Sequence, residues 1–503
     1  MAFKNRYRFV IAFLIFCSTA SIYIGRINMS IAIVEMSEPH KANKSHQILT
    51  DACPAQTISS INEQSMIEDT PTKYVAEKFN WNERTQGIIL GSFFWGYVLF
   101  QISSGRMAEM YGPRLLITIG IFGTGVINLI TPLLVHLYYV FIASRVVLGL
   151  LQATVLPSCY ALASHWIPDQ ERSAVISLII IGAAIGTIVT STLSGYLAKH
   201  GFAGGWPSIF YVSGIIGIII SIIYFIFVTN RPRDSPFVSQ EEYEYISNNI
   251  AGLKVKNDQD NKDVDKNDKR KQAKKSFPWI KVLTSRAVMS EIAVRISTNW
   301  VYSLILLKAP AYMKNVLSVP LEVNGYYSAV MSFTSVISHF FCGLLADYFI
   351  KKKLFGSKTT IRKLFEGVCV LGSAIFICLI PSAGCSQLLF LLYMVGCQIA
   401  YGFEAGGELP LPSDLSNEYS ATLFAIANMF GMATAFVGPY LTGIILDMDP
   451  SKPKQQWAYI IYFTGAFNVL GGIIFTIFGT AEPQNFGQHD SYKTITDPKI
   501  HGN

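Results

Sequence analysis

The apolar positions of this 503-residue chain gather into twelve runs, set apart by short polar turns, one long polar loop and one long polar insert. The runs cover residues 8–36, 84–108, 115–136, 138–165, 173–199 and 208–229, then 287–316, 323–349, 361–382, 386–411, 420–447 and 457–480. A bilayer is crossed by roughly 20 apolar helical residues, so each run predicts one transmembrane helix. The pattern predicts an all-α membrane protein of two six-helix bundles, 1–229 and 286–480, with a loop at 37–82, a linker at 230–285 and a tail at 481–503. Inside the linker, Lys254 to Lys275 is dominated by Lys, Asp and Asn, which cannot bury enough surface to fold alone. The linker is therefore expected to be disordered.

Composition agrees: 51% hydrophobic and only 15% charged residues, with a mean hydropathy of +0.37, exclude an ordinary soluble protein of this length. The net charge of +7 changes the picture only through its placement. Basic residues fall on alternate connections: the N-terminal tail, the 109–114 turn with Arg114, the 166–172 turn with Arg172, the insert, and Lys351 to Lys353 with Lys358, Arg362 and Lys363. Lys and Arg collect on cytoplasmic loops, so both termini are expected in the cytoplasm and the 37–82 loop outside. The charge reports orientation and does not call for a nucleic-acid partner. Asn43-Lys44-Ser45, in the outer loop, is a glycosylation sequon. The basic start superficially resembles a signal peptide, but the run behind it is too long and leads into no convincing cleavage site, so an uncleaved first helix is expected. Six cysteines (17, 159, 342, 369, 378 and 397) fall inside the runs as small hydrophobes. Cys53 and Cys385 fall outside them and could be joined.

The two halves repeat each other. Gly105-Arg106-Met107-Ala108-Glu109 closes the second run and Gly343-Leu344-Leu345-Ala346-Asp347 closes the eighth, each before a basic turn. Pro168-Asp169-Gln170-Glu171-Arg172-Ser173-Ala174 opens the fifth run, and Pro412-Ser413-Asp414 through Ser420-Ala421 opens the eleventh. Such repeats predict two bundles related by an axis along the membrane normal, the major-facilitator arrangement, with a site between them near mid-membrane. Glu109 and Asp347, with Arg114, Glu171 and Arg172, are the candidate latch of the outward-open state. A simple cap on the next helix is the alternative.

One residue suggests what such a site would hold. Arg26 sits inside the first run, about ten residues and roughly 15 Å of helix from the polar segment that begins near Ser37. A permanently charged guanidinium at that depth costs roughly 2.5–17 kcal/mol unless it faces a wet cavity, a carboxylate or an anionic ligand. Arg26 and Arg145 are therefore candidate anion-binding residues, with snorkelling the alternative for both. Tyr160 could bond a substrate oxygen or simply pack. Arg295 follows Glu291 by four residues, the spacing of an intrahelical ion pair, and Lys308 should reach water. Glu404 and Glu408, one turn apart on the tenth run, repel if both are charged, which makes either a candidate proton carrier. Their alternative is a wet position near the cytoplasmic mouth. Gly182, Gly186, Gly431, Gly438 and Gly443 read as close-packing positions. No metal-spaced cluster or nucleophile elbow points to an enzyme.

Gly91-Ser92-Phe93-Phe94-Trp95-Gly96-Tyr97-Val98-Leu99-Phe100-Gln101, with Trp81 and Gly87 before it, resembles the anion-transporting solute carriers that include sialin, the vesicular glutamate transporters and the sodium/phosphate cotransporters. Arg26-Ile27-Asn28-Met29-Ser30, Arg145 with Gly149-Leu150, Pro157, Trp166, Pro168, Glu171-Arg172-Ser173, Asn299-Trp300, Pro310-Ala311-Tyr312-Met313-Lys314, Asn428 and Gly431 extend the likeness over nearly all of the membrane portion, and the seventh run reads closest to sialin. The resemblance implies that Arg26 and Arg145 bind anion, with Asn299 and Asn428 in the same site. It also shows departures: Leu90 and Tyr160 stand where histidines are expected, Gln152 where the family has a glutamate, and Thr298 where the vesicular transporters have an arginine.

The expectation is a secondary transporter of small carboxylates or phosphate working by alternating access, coupled to H⁺ or Na⁺ or driven by membrane potential. No other cofactor is expected, and the protein should be a monomer in the lipid bilayer. Arg295, Glu404 and Glu408 are the coupling candidates. A non-transporting anion sensor is the alternative. The plasma membrane is favoured over a lysosomal or vesicle membrane, because the short N-terminal tail has no room for an acidic dileucine signal.

Overall fold

The computed structural model describes residues 6–36, 77–81, 83–250, 277–319, 321–448, 453–484 and 486. Asn43, Cys53, most of the 37–82 loop, the Lys254 to Lys275 run and residues 487–503 lie outside the described residues. Twelve long helical spans follow one another: Tyr7–Met36, Glu83–Tyr111, Pro113–Leu134, a fourth in two pieces (Tyr138–Ala153 and Val155–Trp166), Arg172–His200, Trp206–Phe227, Arg286–Asn315, Leu321–Lys351, Lys358–Leu379, Gln387–Tyr401, Ser420–Met448 and Pro453–Phe478. They are called spans one to twelve below. Within the described residues, ten of these spans are long and apolar enough to cross a membrane, and span seven carries Arg286, Glu291, Arg295, Lys308 and Lys314 among its apolar residues.

Local sequence sets the turns and the breaks. Gly112 takes φ +90 and Pro113 occupies the first turn of span three, a tight turn that an L side chain would strain. Span four breaks at Thr154 because Pro157 has no N–H to give the carbonyl of Ala153. Span ten departs from the single run expected. Its α-helix stops at Tyr401, a 3₁₀ turn covers Gly402–Ala405, and a short helix follows at Leu411–Leu415. Gly402, Gly406, Gly407, Pro410 and Pro412 fill this stretch, and none supports a regular helix.

Close packing follows small residues. A Cβ on Gly182 or Gly186 of span five would collide with Thr19 or Ala20 of span one. Gly431 meets Arg295 and Asn299 in the same way, whereas a Cβ on Gly438 would meet nothing within 4 Å among the described residues.

The linker is only partly as expected. A helix at Gln240–Asn249 is capped by Ser239, whose hydroxyl accepts the Glu242 N–H, and Ile246 and Ile250 are buried in the first half's core. Glu242, buried in turn, accepts the backbone N–H groups of Tyr7 at 2.8 Å and Arg8 at 3.0 Å, so it caps span one. A Ser-x-x-Glu start and apolar residues four apart outweighed the polar composition around them. Trp279–Leu283 is helical as well.

Candidate substrate and coupling sites

Arg26 is half-buried against spans two and four. Its Nε donates to Gln152 Oε1 at 3.1 Å, and the Gln152 amide is held in that orientation by donating to the Ile22 carbonyl at 3.1 Å. The rings of Tyr23, Phe93 and Tyr97 lie 4.7, 4.7 and 4.8 Å from the guanidinium carbon. Their quadrupoles hold the cation without neutralising it. Two residues on, Asn28 donates to Asn128 and to Ser213, each at 2.8 Å, which fixes the rotation of span one.

Arg145, also in this half, is 2% exposed, which rules out snorkelling. Its Nε and Nη1 and the Nη2 of Arg26 are buried without a hydrogen-bond partner, and the two guanidiniums are close enough to feel each other's charge. Among the described residues neither arginine forms a salt bridge. Such donors suit an incoming carboxylate or phosphate. The aromatic motif of span two earns its place through Gly96: a Cβ there would collide with the Val146 carbonyl, and one on Gly149 would collide with the Phe93 carbonyl. This reciprocal contact lets spans two and four approach until Phe93 and Tyr97 meet Arg26.

The second half is built with the opposite sign. Arg295 lies 3.3 Å from Glu408 Oε1 and 3.7 Å from Glu404 Oε1. It makes no salt bridge with Glu291, whose two oxygens have no hydrogen-bond partner among the described residues, so the ion pair expected within span seven is replaced by one to the break in span ten. Nor are the two glutamates wet, since they are 3% and 0% exposed. The reason is the break itself, which folds the carboxylates inward. Thr298 Oγ1 donates to Glu408 Oε1 at 2.9 Å, and the Glu408 N–H donates to Glu366 Oε2 at 2.9 Å.

The other candidates divide. Tyr160 stacks on Phe424 of span eleven at 3.9 Å between centroids, so it packs across the two halves. Asn299 donates to the Arg295 carbonyl at 2.9 Å and packs on Gly431. Asn428 reaches across the two halves to the Tyr97 hydroxyl at 3.4 Å, next to the Arg26 cage. Lys308 is half-buried beside Trp300, Ser303 and Thr442 in a small cleft. Cys385 is disulfide-bonded and the six cysteines within the spans are free.

Below these sites the halves close on each other, at the end that carries the turns after spans two and eight. Glu109 Oε1 accepts the Thr422 N–H at 2.8 Å, at the start of span eleven. Asp347 accepts the N–H groups of Ser173 and Ala174 at 3.1 and 2.8 Å, at the start of span five. Each acid of the repeated motif thus caps a helix of the opposite half. The glycines of the same motifs let the chains meet: a Cβ on Gly105 would press on the Ala421 carbonyl, and one on Gly343 would collide with Ser177. Arg172 Nη1 donates to the Ser413 carbonyl at 3.1 Å and lies 3.6 Å from Asp414. Asp414 also takes Lys358 at 2.7 Å and Arg362 at 2.8 Å, while Arg362 donates to Ser173 Oγ at 2.8 Å. Burial pushes the Asp414 carboxyl up, but Arg362, Lys358 and Arg172 together hold it below the usual aspartate range. Two latch candidates do not cross the interface. Arg114 is half-buried and donates to the Phe225 carbonyl in its own half, and Glu171 accepts from Arg8 at 2.8 Å and Tyr245 at 3.1 Å. Their short loop positions turn them toward span six and the linker helix.

A sequence model of the Major Facilitator Superfamily matches residues 52–439. The chain belongs to the major facilitator superfamily. It is accordingly a multi-pass membrane transporter and not an enzyme. Human sialin is 29% identical over 486 residues, 96% of this chain and 92% of that protein. Vesicular glutamate transporter 3 of Danio rerio is 27% identical, covering 96% and 75%. The solved structure of the proton:xylose symporter XylE superposes with a TM-score of 0.65 at 14% identity, covering 95% and 97%, which shows the shared fold. Within this superfamily fold, sequence reasoning missed Tyr23, Phe93, Tyr97 and Glu366. Phe93 and Tyr97 were readable as a four-residue aromatic spacing on one face of span two. Glu366 had no local signal.

Proposed function

We propose that this protein carries small organic or inorganic anions across a membrane by alternating access. Arg26 and Arg145 bind the carboxylate or phosphate through their unpartnered N–H groups, with Gln152 and the aromatic cage holding Arg26 in place. The observation that carries this reading is the pair of guanidiniums facing no carboxylate, because an anion is the remaining group that can compensate them at membrane depth. The sialin and vesicular glutamate transporter relatives support the same class. With the basic loops placed in the cytoplasm, the closed end is the cytoplasmic gate and the substrate enters from outside. Glu109, Asp347, Arg172, Arg362 and Asp414 hold that gate shut until the loaded carrier rocks. Glycosylation at Asn43 and residence in the plasma membrane belong to the same reading. The test is uptake of phosphate, glutamate, sialic acid and urate into proteoliposomes, each alone, with Na⁺, proton gradient and potential imposed one at a time. Saturable uptake of at least one anion, lost in Arg26→Ala, is the expected result. Binding without uptake would make the protein a sensor instead.

A further inference from the structure

Four carboxyl groups converge on one guanidinium inside the second half: Glu404 and Glu408 from the break in span ten, Glu366 from span nine and Glu291 from span seven, all around Arg295. All four are at most 3% exposed. Fully ionised, they would leave three negative charges uncompensated where water does not reach, and buried charge without a partner is strongly destabilising. The cluster also has open valences: among the described residues, Glu366 Oε1, Glu404 Oε2 and Glu408 Oε2 are buried with no hydrogen-bond partner. Among the described residues no group of acids has the geometry to hold a metal ion. A proton added to one of these oxygens supplies the missing partner and lowers the uncompensated charge at the same time.

We propose that Glu366, Glu404 and Glu408, with Arg295 as counter-charge, form the proton-binding site of this transporter, and that proton binding there controls the cytoplasmic gate. This rests on the anion-transport reading above and supplies its coupling ion. The first half, with Gln152 beside Arg26, holds the anion, and the second half holds the proton. Gly406 and Gly407 make the site, since a Cβ on Gly407 would strike the Glu366 carboxyl and one on Gly406 would strike the Phe365 ring. These two glycines let the break lie flat on span nine, which brings Glu366 to the Glu408 N–H.

The groups facing the cluster from each neighbouring element are accounted for. Span seven gives Arg295, Glu291 and Thr298; span nine gives Glu366 and Cys369; span ten gives Tyr401 beside Glu404; span four of the other half gives Tyr160. Span eight adds His339, whose ring meets Tyr401 edge-on at 5.8 Å. Tyr401 stacks on Tyr302 at 5.9 Å, and Tyr302 lies within electrostatic reach of both Arg26 and Glu404. This tyrosine pair leads from the anion site to the carboxyl cluster.

The link to the gate is covalent and short. The break that carries Glu404 and Glu408 continues into Leu411–Leu415, which presents Asp414 to the gate. Arg362 closes the circuit, donating at once to Asp414, to Ser173 of the first half and to the Gly406 carbonyl at 2.9 Å within the break. A proton from external water adds to a carboxylate oxygen, weakens the hold of Arg295 on the break, and leaves to cytoplasmic water once the gate has opened.

The test uses the full-length purified protein. Infrared spectra titrated across neutral pH read protonated carboxyl directly, with no need to know the substrate. A protonated-carboxyl band present near neutrality, diminished in Glu366→Gln and in Glu408→Gln and retained in Arg26→Ala, is the expected result. In proteoliposomes, accumulation of whichever of phosphate, glutamate, sialic acid or urate is carried should fall at least tenfold in Glu366→Gln and Glu408→Gln when an inward proton gradient drives it. A wild-type protein with no protonated band, or glutamine variants with unchanged band and unchanged gradient-driven uptake, would overturn the proton site. Uptake that survives Arg26→Ala would overturn the anion site instead, so the two failures are separable.

Discussion

Replacing Gln152 by glutamate turns the anion site into a pH-dependent one. Gln152 accepts from Arg26 Nε at 3.1 Å through Oε1 and donates to the Ile22 carbonyl at 3.1 Å through Nε2. A protonated glutamic acid reproduces both bonds, because its hydroxyl can donate where the amide did. An ionised glutamate keeps the first, gains charge on it, and sets its second oxygen against the Ile22 carbonyl. Two unit charges about 4 Å apart attract by about 4 kcal/mol at an effective dielectric of about 20. Partial exposure of the Arg26 side chain and the carbonyl repulsion remove part of this, leaving about 1.5–3 kcal/mol that an incoming anion must now overcome. Anion affinity should fall about 10- to 100-fold where the glutamate is ionised, and recover as pH drops and the side chain takes a proton. The assay is thermal stabilisation of the purified variant by the transported anion, measured at several pH values beside the wild type, whose Gln152 cannot titrate. Equal affinities for wild type and variant at every pH would refute the idea that uncompensated charge on Arg26 is what binds substrate.

Other outcomes follow from the gate and the packing. Asp414→Asn removes the partner of three buried or half-buried cations, and breaking such a pair costs about 3–5 kcal/mol; a cysteine placed near Ser164 should become more reactive from the cytoplasmic side. The same carboxyl gives the gate its pH sense. Its value is lowered in the closed form, so its contribution is present above the ordinary aspartate range and is lost as pH falls through the lowered value, and acid should raise that cysteine's reactivity in the wild type but not in Asp414→Asn. Glu109→Gln and Asp347→Asn each weaken a cap across the interface by about 0.5–2 kcal/mol, and the double variant should bias the carrier toward cytoplasmic accessibility more than either alone. Gly96→Ala should lower the melting temperature and the anion affinity together, since the added Cβ forces spans two and four apart and Phe93 and Tyr97 away from Arg26; a variant with full affinity would contradict that packing argument. Glu242→Gln should lower thermal stability while leaving anion affinity in place, because it caps span one at the end away from the site.

The sequence alone determined the quantities that depend on one stretch of chain. Twelve helices, two halves and the repeated acid motif were legible because a run's length and polarity do not depend on its neighbours. The charge of Arg26 was legible for the same reason, as a cost that any fold has to compensate. The tertiary structure decided which groups meet. Glu291 stands four residues from Arg295, yet Arg295 pairs with Glu404 and Glu408, more than a hundred residues away, because two glycines and two prolines bend span ten back onto span nine. Glu366 is one carboxyl in an apolar run until that bend lays the Glu408 N–H on it. The acids at Glu109 and Asp347 look like caps for their own turns, and they cap helices of the opposite half because Gly105 and Gly343 let the halves touch. Spacing along a helix fixes which face a side chain shares, whereas burial and pairing depend on what the rest of the chain brings against that face.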